Sequence, residues 1–290
     1  MNHPIPTITL PVDLANPGQF FACCGLLELA DRLWPGAEGW FDREGYFSIA
    51  ADGSFAELID RMLAAAVESS LNASELKRLG TLLSAAKMKL SAGDIAEKAR
   101  LQRQWKIESV SVGPPFNLRI DWWRDESGDR LDPKTWAAKQ LLMDIINDLR
   151  AGASRVHIKN ESDLWQWVSG VDRRFNFDAT LGAMGSALDV GFSFDALGDN
   201  RRTRIDVPCR PLVELLAFFG LQRCRPQSLG RRSELAYASW HVPLPVSLSA
   251  PATCGQLPVP STRWRFHLTD RSDYFKCFSP AIPVQGDPDE

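Results

Sequence analysis

The chain is short of most of what a familiar enzyme class requires. It has four histidines and three tyrosines in 290 residues. No apolar run approaches the ~18 residues that span a bilayer, so no transmembrane helix and no membrane partner are expected. Met1-Asn2-His3-Pro4-Ile5-Pro6 lacks a basic, apolar leader, so no secretory signal is expected and a cytoplasmic location is. There the six cysteines, at 23, 24, 209, 224, 254 and 277, should be reduced. None forms a Cys-x-x-Cys pair and no histidine stands at ligand spacing from one, which argues against zinc. There is no P-loop, no dinucleotide-binding glycine fingerprint, no His-Glu-x-x-His and no nucleophile elbow. Asp178, Asp189, Asp195, Asp199 and Asp206 are too widely spaced for a hard-cation site. No metal, no cofactor and no catalytic residue are therefore assigned.

An excess of either charge is also missing: the formal net charge is −3. Its distribution is uneven. Residues 71–106 carry eight Lys/Arg against three acids, and residues 201–232 carry eight Arg against two. Such segregation suits a polyanion partner, and equally the solvated faces of ordinary helices.

What is present is a patterned globular chain, 44% hydrophobic. Thr7 to Leu14 alternates as a strand does. Asn16-Pro17 then opens a helix, with Gln19 completing a capping-box pattern and Pro35-Gly36 ending it near Trp34. Phe20, Phe21, Cys23, Cys24, Leu26, Leu27 and Leu29 cover its whole circumference, which predicts burial and makes the paired cysteines packing residues. Gly25 inside it suggests close approach of another backbone. Tyr46–Ala50 and Phe116–Trp122 read as strands; 54–66, 75–89 (continuing through 94–103), 132–150 and 211–219 read as helices; Trp240–Leu248 and Trp264–Leu268 read as strands. The pattern predicts an α+β fold: one compact domain over 1–285, a helical insertion at about 54–106 and a disordered tail at 286–290.

The segment Val171-Asp172-Arg173-Arg174-Phe175-Asn176-Phe177-Asp178 interleaves cations and aromatics, and a glycine-rich stretch runs from it to Arg201-Arg202-Thr203-Arg204. Arginine forks there would bind phosphates and Phe175 or Phe177 would stack on bases; alternatively the rings pack inward and the arginines pair with nearby aspartates. Candidate phosphate contacts are Arg173, Arg174, Arg201, Arg202, Arg204, Arg231 and Arg232, then Lys77, Arg78, Lys87 and Lys89. The competing reading is a metal-independent RNA endonuclease with His241 or His267 as general base.

The blocks "NPGQFFACCGLLELADRLWPGAEGWF" (Asn16–Phe41), "LDVGFSFDAL" and "RPLVELLAFFGLQRCRP" resemble the accessory Csb/Csx-type subunit family of CRISPR–Cas type I-G loci, formerly I-U. The resemblance implies a part in antiviral defence, alongside CRISPR RNA or target DNA and other effector subunits. It also makes a ferredoxin-like, RRM-like sheet a candidate fold. RNA-processing relatives carry a C-terminal glycine-rich loop, whereas Gly230, Gly255 and Gly286 are isolated here, which weighs against cleavage. The family supplies no catalytic residues to carry over.

Overall fold

The computed structural model describes residues 4–85, 90–107, 110–120, 135, 142–155, 161–180, 194–195, 204–205, 207–230, 233–272 and 275–284. In chain order the N-terminal half holds β1 (Ile8–Pro11), α1 (Pro17–Leu33), β2 (Glu38–Phe41), β3 (Tyr46–Ala50), α2 (Phe55–Ala64), β4 (Val67–Ser69), α3 (Ala73–Ser84), α4 (Ala92–Ile107), β5 (Val110–Val112), β6 (Leu118–Ile120) and α5 (Leu142–Ala153). The remainder holds β7 (Ser169–Val171), β8 (Phe194–Asp195), β9 (Arg204–Ile205), β10 (Val207–Cys209), α6 (Pro211–Arg223), β11 (Gln227–Ser228), β12 (Glu234–Trp240), β13 (Leu244–Pro245), α7 (Val246–Thr253), β14 (Ser261–Ser272), β15 (Phe275–Phe278) and β16 (Ile282–Pro283). The fold is α+β. No helix among the described residues is long and apolar enough to cross a membrane.

The N-terminal sheet has the order β1-β3-β2-β13, all antiparallel. Since α1 connects β1 to β2 and β3 lies between them, this is a split β-α-β unit. Three strands thus follow a ferredoxin-like arrangement. The fourth departs from it, because β13 pairs with β2 and not with β1. The C-terminal sheet runs β11-β12-β14-β15, with β16 also on β14.

α1 starts where its sequence places it. The Asn16 side chain accepts from Gly18 N at 3.0 Å, and Pro17 occupies the first helical position. The expected capping box is not made: the Asn16 side chain takes the amide of Gly18, at the second helical position, and not that of Gln19 at the third. Asn16 N already donates to Asp13 O, so the Gln19 amide oxygen turns to Asp13 N instead, at 2.8 Å. Every residue from Pro17 to Ala30 is buried. Phe20 stacks on Phe41 at 5.0 Å and on Tyr237 at 4.2 Å, so this one ring touches both sheets. Trp240 Nε1–H donates to Gly39 O at 2.7 Å and ties the sheets directly.

α6 is likewise buried from Pro211 to Leu221 and lies against α1. The two backbones touch. A Cβ on Gly25 would sit 2.0 Å from Leu216 O, and one on Gly220 would sit 2.0 Å from Phe21 O. Only glycine fits at either position. Burial pushes the Cys23 and Cys24 thiols well above their ordinary range, as core packing requires.

The helical region divides in two. α2 puts Phe55, Leu58, Ile59 and Met62 into the main core. α3 and α4 share a separate small core of Leu71, Leu79, Leu82, Leu83 and Leu101. The expected strand Trp240–Leu248 ends at Trp240, and Leu248 is helical in α7. Pro243 and Pro245 have no N–H for a ladder, so only Leu244–Pro245 pairs before α7 begins. Strand β6 is shorter than expected: Phe116 precedes it in a turn, and 121–122 lie outside the described residues. So do 132–134 and 136–141 of the expected helix 132–150.

Candidate functional site

Arg78 on α3 donates to Asp94 at 2.5 Å and to Glu97 at 2.9 Å, both on α4. Two hydrogen bonds from Ser91, then Arg78, hold the Asp94 carboxyl below its ordinary value. Arg100 pairs in turn with Glu75 at 3.3 Å, so all three acids of this basic window are engaged by two of its eight cations. Lys77 is exposed beside it; Lys87 and Lys89 lie outside the described residues.

Arg173 bonds to Asp148 at 2.9 Å. Arg174 corrects the expectation of a phosphate contact: it is 1% exposed. Its Nε donates to Asn176 Oδ1 at 2.8 Å and its Nη1 to Pro208 O at 2.7 Å. Phe175 and Phe177 are core rings, stacked at 5.2 Å, with Phe175 on Phe218 at 4.6 Å. The inward alternative therefore holds for these aromatics. Arg204 stands in β9 opposite Asp195. Arg201, Arg202, Arg231 and Arg232 lie outside the described residues.

Arg174 belongs to a buried ionic hub. Glu214, 1% exposed, accepts from Phe177 N and Asp178 N, each at 3.1 Å. Burial raises its pKa to about 7, against the opposing field of Arg174. Asp178 receives Arg210 at 2.8 Å and the Asn16 amide at 2.8 Å. Burial pushes the Asp178 carboxyl up, but Arg210, Asn16 and Thr180 more than offset it and keep its pKa low. The hub joins the start of α1 to the start of α6 and to the loop after β7. Its groups bond to one another, which is a structural role, although Arg210 Nε is buried without a hydrogen-bond partner.

A cleft of about 590 Å³ offers more chemistry. The β1–α1 loop supplies Val12 to Ala15, the β2–β3 turn supplies Asp42 to Gly45, and Pro260 to Thr262 with Trp264 close the far side. His241 enters from the end of β12. Its Nδ1 is 3.1 Å from Phe41 O and its Nε2 is 2.9 Å from Thr262 Oγ1. A carbonyl can only accept, so Nδ1 carries the proton; in the neutral ring Nε2 is left to accept the Thr262 hydroxyl hydrogen. A hydroxyl, a base and a fixed orienter in sequence is the general geometry of an activated oxygen.

The two nominated histidines are therefore separated. His241 lines the cleft, whereas His267 is exposed on β14, with its peptide N–H held by Ser279 Oγ at 2.8 Å. His3 and His157 lie outside the described residues, as do Trp122 and Trp123. Among the described residues no group of His, Cys, Asp and Glu could hold a metal ion. Sequence reasoning missed Thr262, 21 residues from His241, because no motif links them. It also passed over Arg263 and Arg265, although the polar–apolar alternation of Arg263-Trp264-Arg265-Phe266-His267-Leu268 marks them as strand residues on one face.

No protein-family model matches the chain, and no curated protein matches it significantly.

Proposed function

We propose that the chain is a non-enzymatic subunit of a CRISPR–Cas type I-G assembly, acting in the cytoplasm and binding CRISPR RNA or target DNA together with neighbouring effector subunits. One observation carries the reading. The resembling blocks around α1 and α6 lie far apart in sequence, yet they form a single unit whose backbones touch at Gly25 and Gly220. A likeness concentrated in the structural centre of the molecule supports kinship better than scattered matches would.

Among the nominated cations, Lys77, Lys87, Lys89, Arg201, Arg202, Arg204, Arg231 and Arg232 remain candidates for phosphate contact. Arg78 and Arg173 would have to exchange a carboxylate for a phosphate, and Arg174 is set aside. The test is fluorescence anisotropy with labelled repeat RNA and single-stranded DNA over rising salt. Affinity should fall with a log–log slope of about −0.7 per neutralised phosphate. Absent or salt-independent binding at ~50 mM salt rejects the reading.

The His241–Thr262 contact favours a second reading, metal-independent cleavage of repeat RNA. Thr262 would have to give up His241 Nε2, which would then take the proton from a ribose 2′-hydroxyl as that oxygen attacks phosphorus and the 5′-oxygen leaves with a proton from water. Site-specific cleavage in chelator that vanishes in His241→Ala would select this reading over the first.

A further inference from the structure

Strand β14 presents two faces of opposite character. Phe266 and Leu268 are buried, and Trp264 packs partly buried against the main core. On the other face Arg263, Arg265 and His267 are all exposed. Resting on the reading that the chain binds nucleic acid, we propose that this outer face is a track for the phosphates of a single-stranded RNA or DNA.

The geometry is that of a ladder. Residues two apart on a strand repeat every ~6.7 Å on the same face, so the three donors form one line along β14. A line of donors suits the successive phosphates of one extended strand; a duplex presents its phosphates on two curved rails.

On the β12 side the row is flanked by small buried residues, and the turn at Gly255 rests against one of them, Ala238. The residues paired with Arg263 and Arg265 on β12 are Ala238 and Ala236. These short side chains let Arg263 reach over the middle strand to Gln227 on β11, where Nη2 donates to Oε1 at 2.6 Å. Two strand spacings separate β11 from β14, about 9.5 Å. An arginine held at that reach lies over the sheet with its other N–H donors unspent on Gln227. The order lost on binding is then partly lost already.

Arg265 is paired with Glu234 on β12 at 3.3 Å, and its side chain is 44% exposed. Glu234 is the more buried partner, its side chain 16% exposed, so the carboxylate stays in place and a phosphate meets the outward N–H donors of Arg265. Beyond Arg265 in the same cross-strand row stands Ile282 of β16, 54% exposed, an apolar neighbour for a sugar or an unstacked base. Among the described residues the face carries two arginines, with an imidazole in line and Glu234 as an opposing acid, so it complements a polyanion.

The experiment uses the full chain and a 5′-fluorescein dodecauridylate, titrated by anisotropy at several salt concentrations. Arg263→Ala/Arg265→Ala should weaken binding by about tenfold or more at low salt and make the log–log slope shallower by about 1.4, two phosphates at about 0.7 each. The double lysine variant keeps both charges and should restore the slope. Glu234→Gln removes the competing carboxylate and should bind tighter than the native chain, which a purely structural role for these residues would not produce. Arg61→Ala, on α2, should stay within twofold of native. Native-like affinity and slope in the double alanine variant overturn the track but leave the nucleic-acid reading standing. Failure of the native chain to bind overturns both. Duplex RNA bound as tightly, with the same loss in the double variant, overturns the single-strand assignment.

Discussion

The α1–α6 pair and the α3–α4 pair differ in what keeps the helices together. Between α1 and α6 there is no side chain at the closest points: Gly25 and Gly220 let main-chain atoms meet. Between α3 and α4 the contact is a five-leucine cluster, flanked on the surface by Arg78 bridging Asp94 and Glu97. The first pair tolerates no added atom. The second is a satellite whose loss leaves the main core whole. The comparison teaches that the same element type serves as an immovable centre in one place and as a detachable attachment in another.

The comparison breaks most sharply at Gly220. Gly220→Ala forces a methyl against Phe21 O, and the helices must part. A loss of more than about 4 kcal/mol is expected, read as a collapse of the urea midpoint. A native midpoint would show that the contact is soft.

Next comes the ionic hub that anchors the start of α6. The Glu214 pKa is about 7 in the folded chain against an ordinary 4.5. Between those values the folded state holds a proton that the unfolded state has released. Glu214's contribution to stability is therefore full below pH ~4.5 and is lost as pH rises towards ~7, by roughly 3 kcal/mol. Denaturant midpoints across this range should show Glu214→Gln lacking that decline relative to the native chain. Parallel profiles would mean that Glu214 keeps an ordinary pKa.

Leu101→Ala, in the satellite core, should cost about 2 kcal/mol, near the low end for a buried leucine because a small cluster can collapse. Hydrogen exchange should quicken across 73–107 while α1 and α6 stay protected. Equal acceleration in α1 would show that the pairs unfold as one. The smallest effect belongs to Arg78→Ala. Both its ion pairs are at the surface, so exchange in α3 and α4 should change less than in Leu101→Ala, and less still at high salt.

How much of this was legible in the sequence depended on range. α1 was readable to within a residue of its end because cap, proline and all-round apolarity are local signals. The burial of Cys23 and Cys24 followed from the same stripe-free pattern. α7 was misread because Val242, Leu244, Val246 and Leu248 alternate with prolines and a serine, imitating a strand's period of two. Arg174 was misplaced because its counter-charge, Glu214, lies 40 residues ahead, and local interleaving of cation and aromatic looks the same at a surface and in a core. The Thr262–His241 contact depends on the pairing of β12 with β14, which no short-range pattern announces.

The closeness of α1 to α6 also bears on how the chain emerges from the ribosome. About 180 residues are made between the end of α1 and the start of α6. At ordinary elongation rates that interval lasts roughly 10 to 40 s. Throughout it, a helix apolar on every side waits for a partner that does not yet exist. Newly made chains should therefore depend on a holding chaperone until Arg223 is clear of the exit tunnel, and truncation before Pro211 should yield aggregates in place of a smaller folded piece.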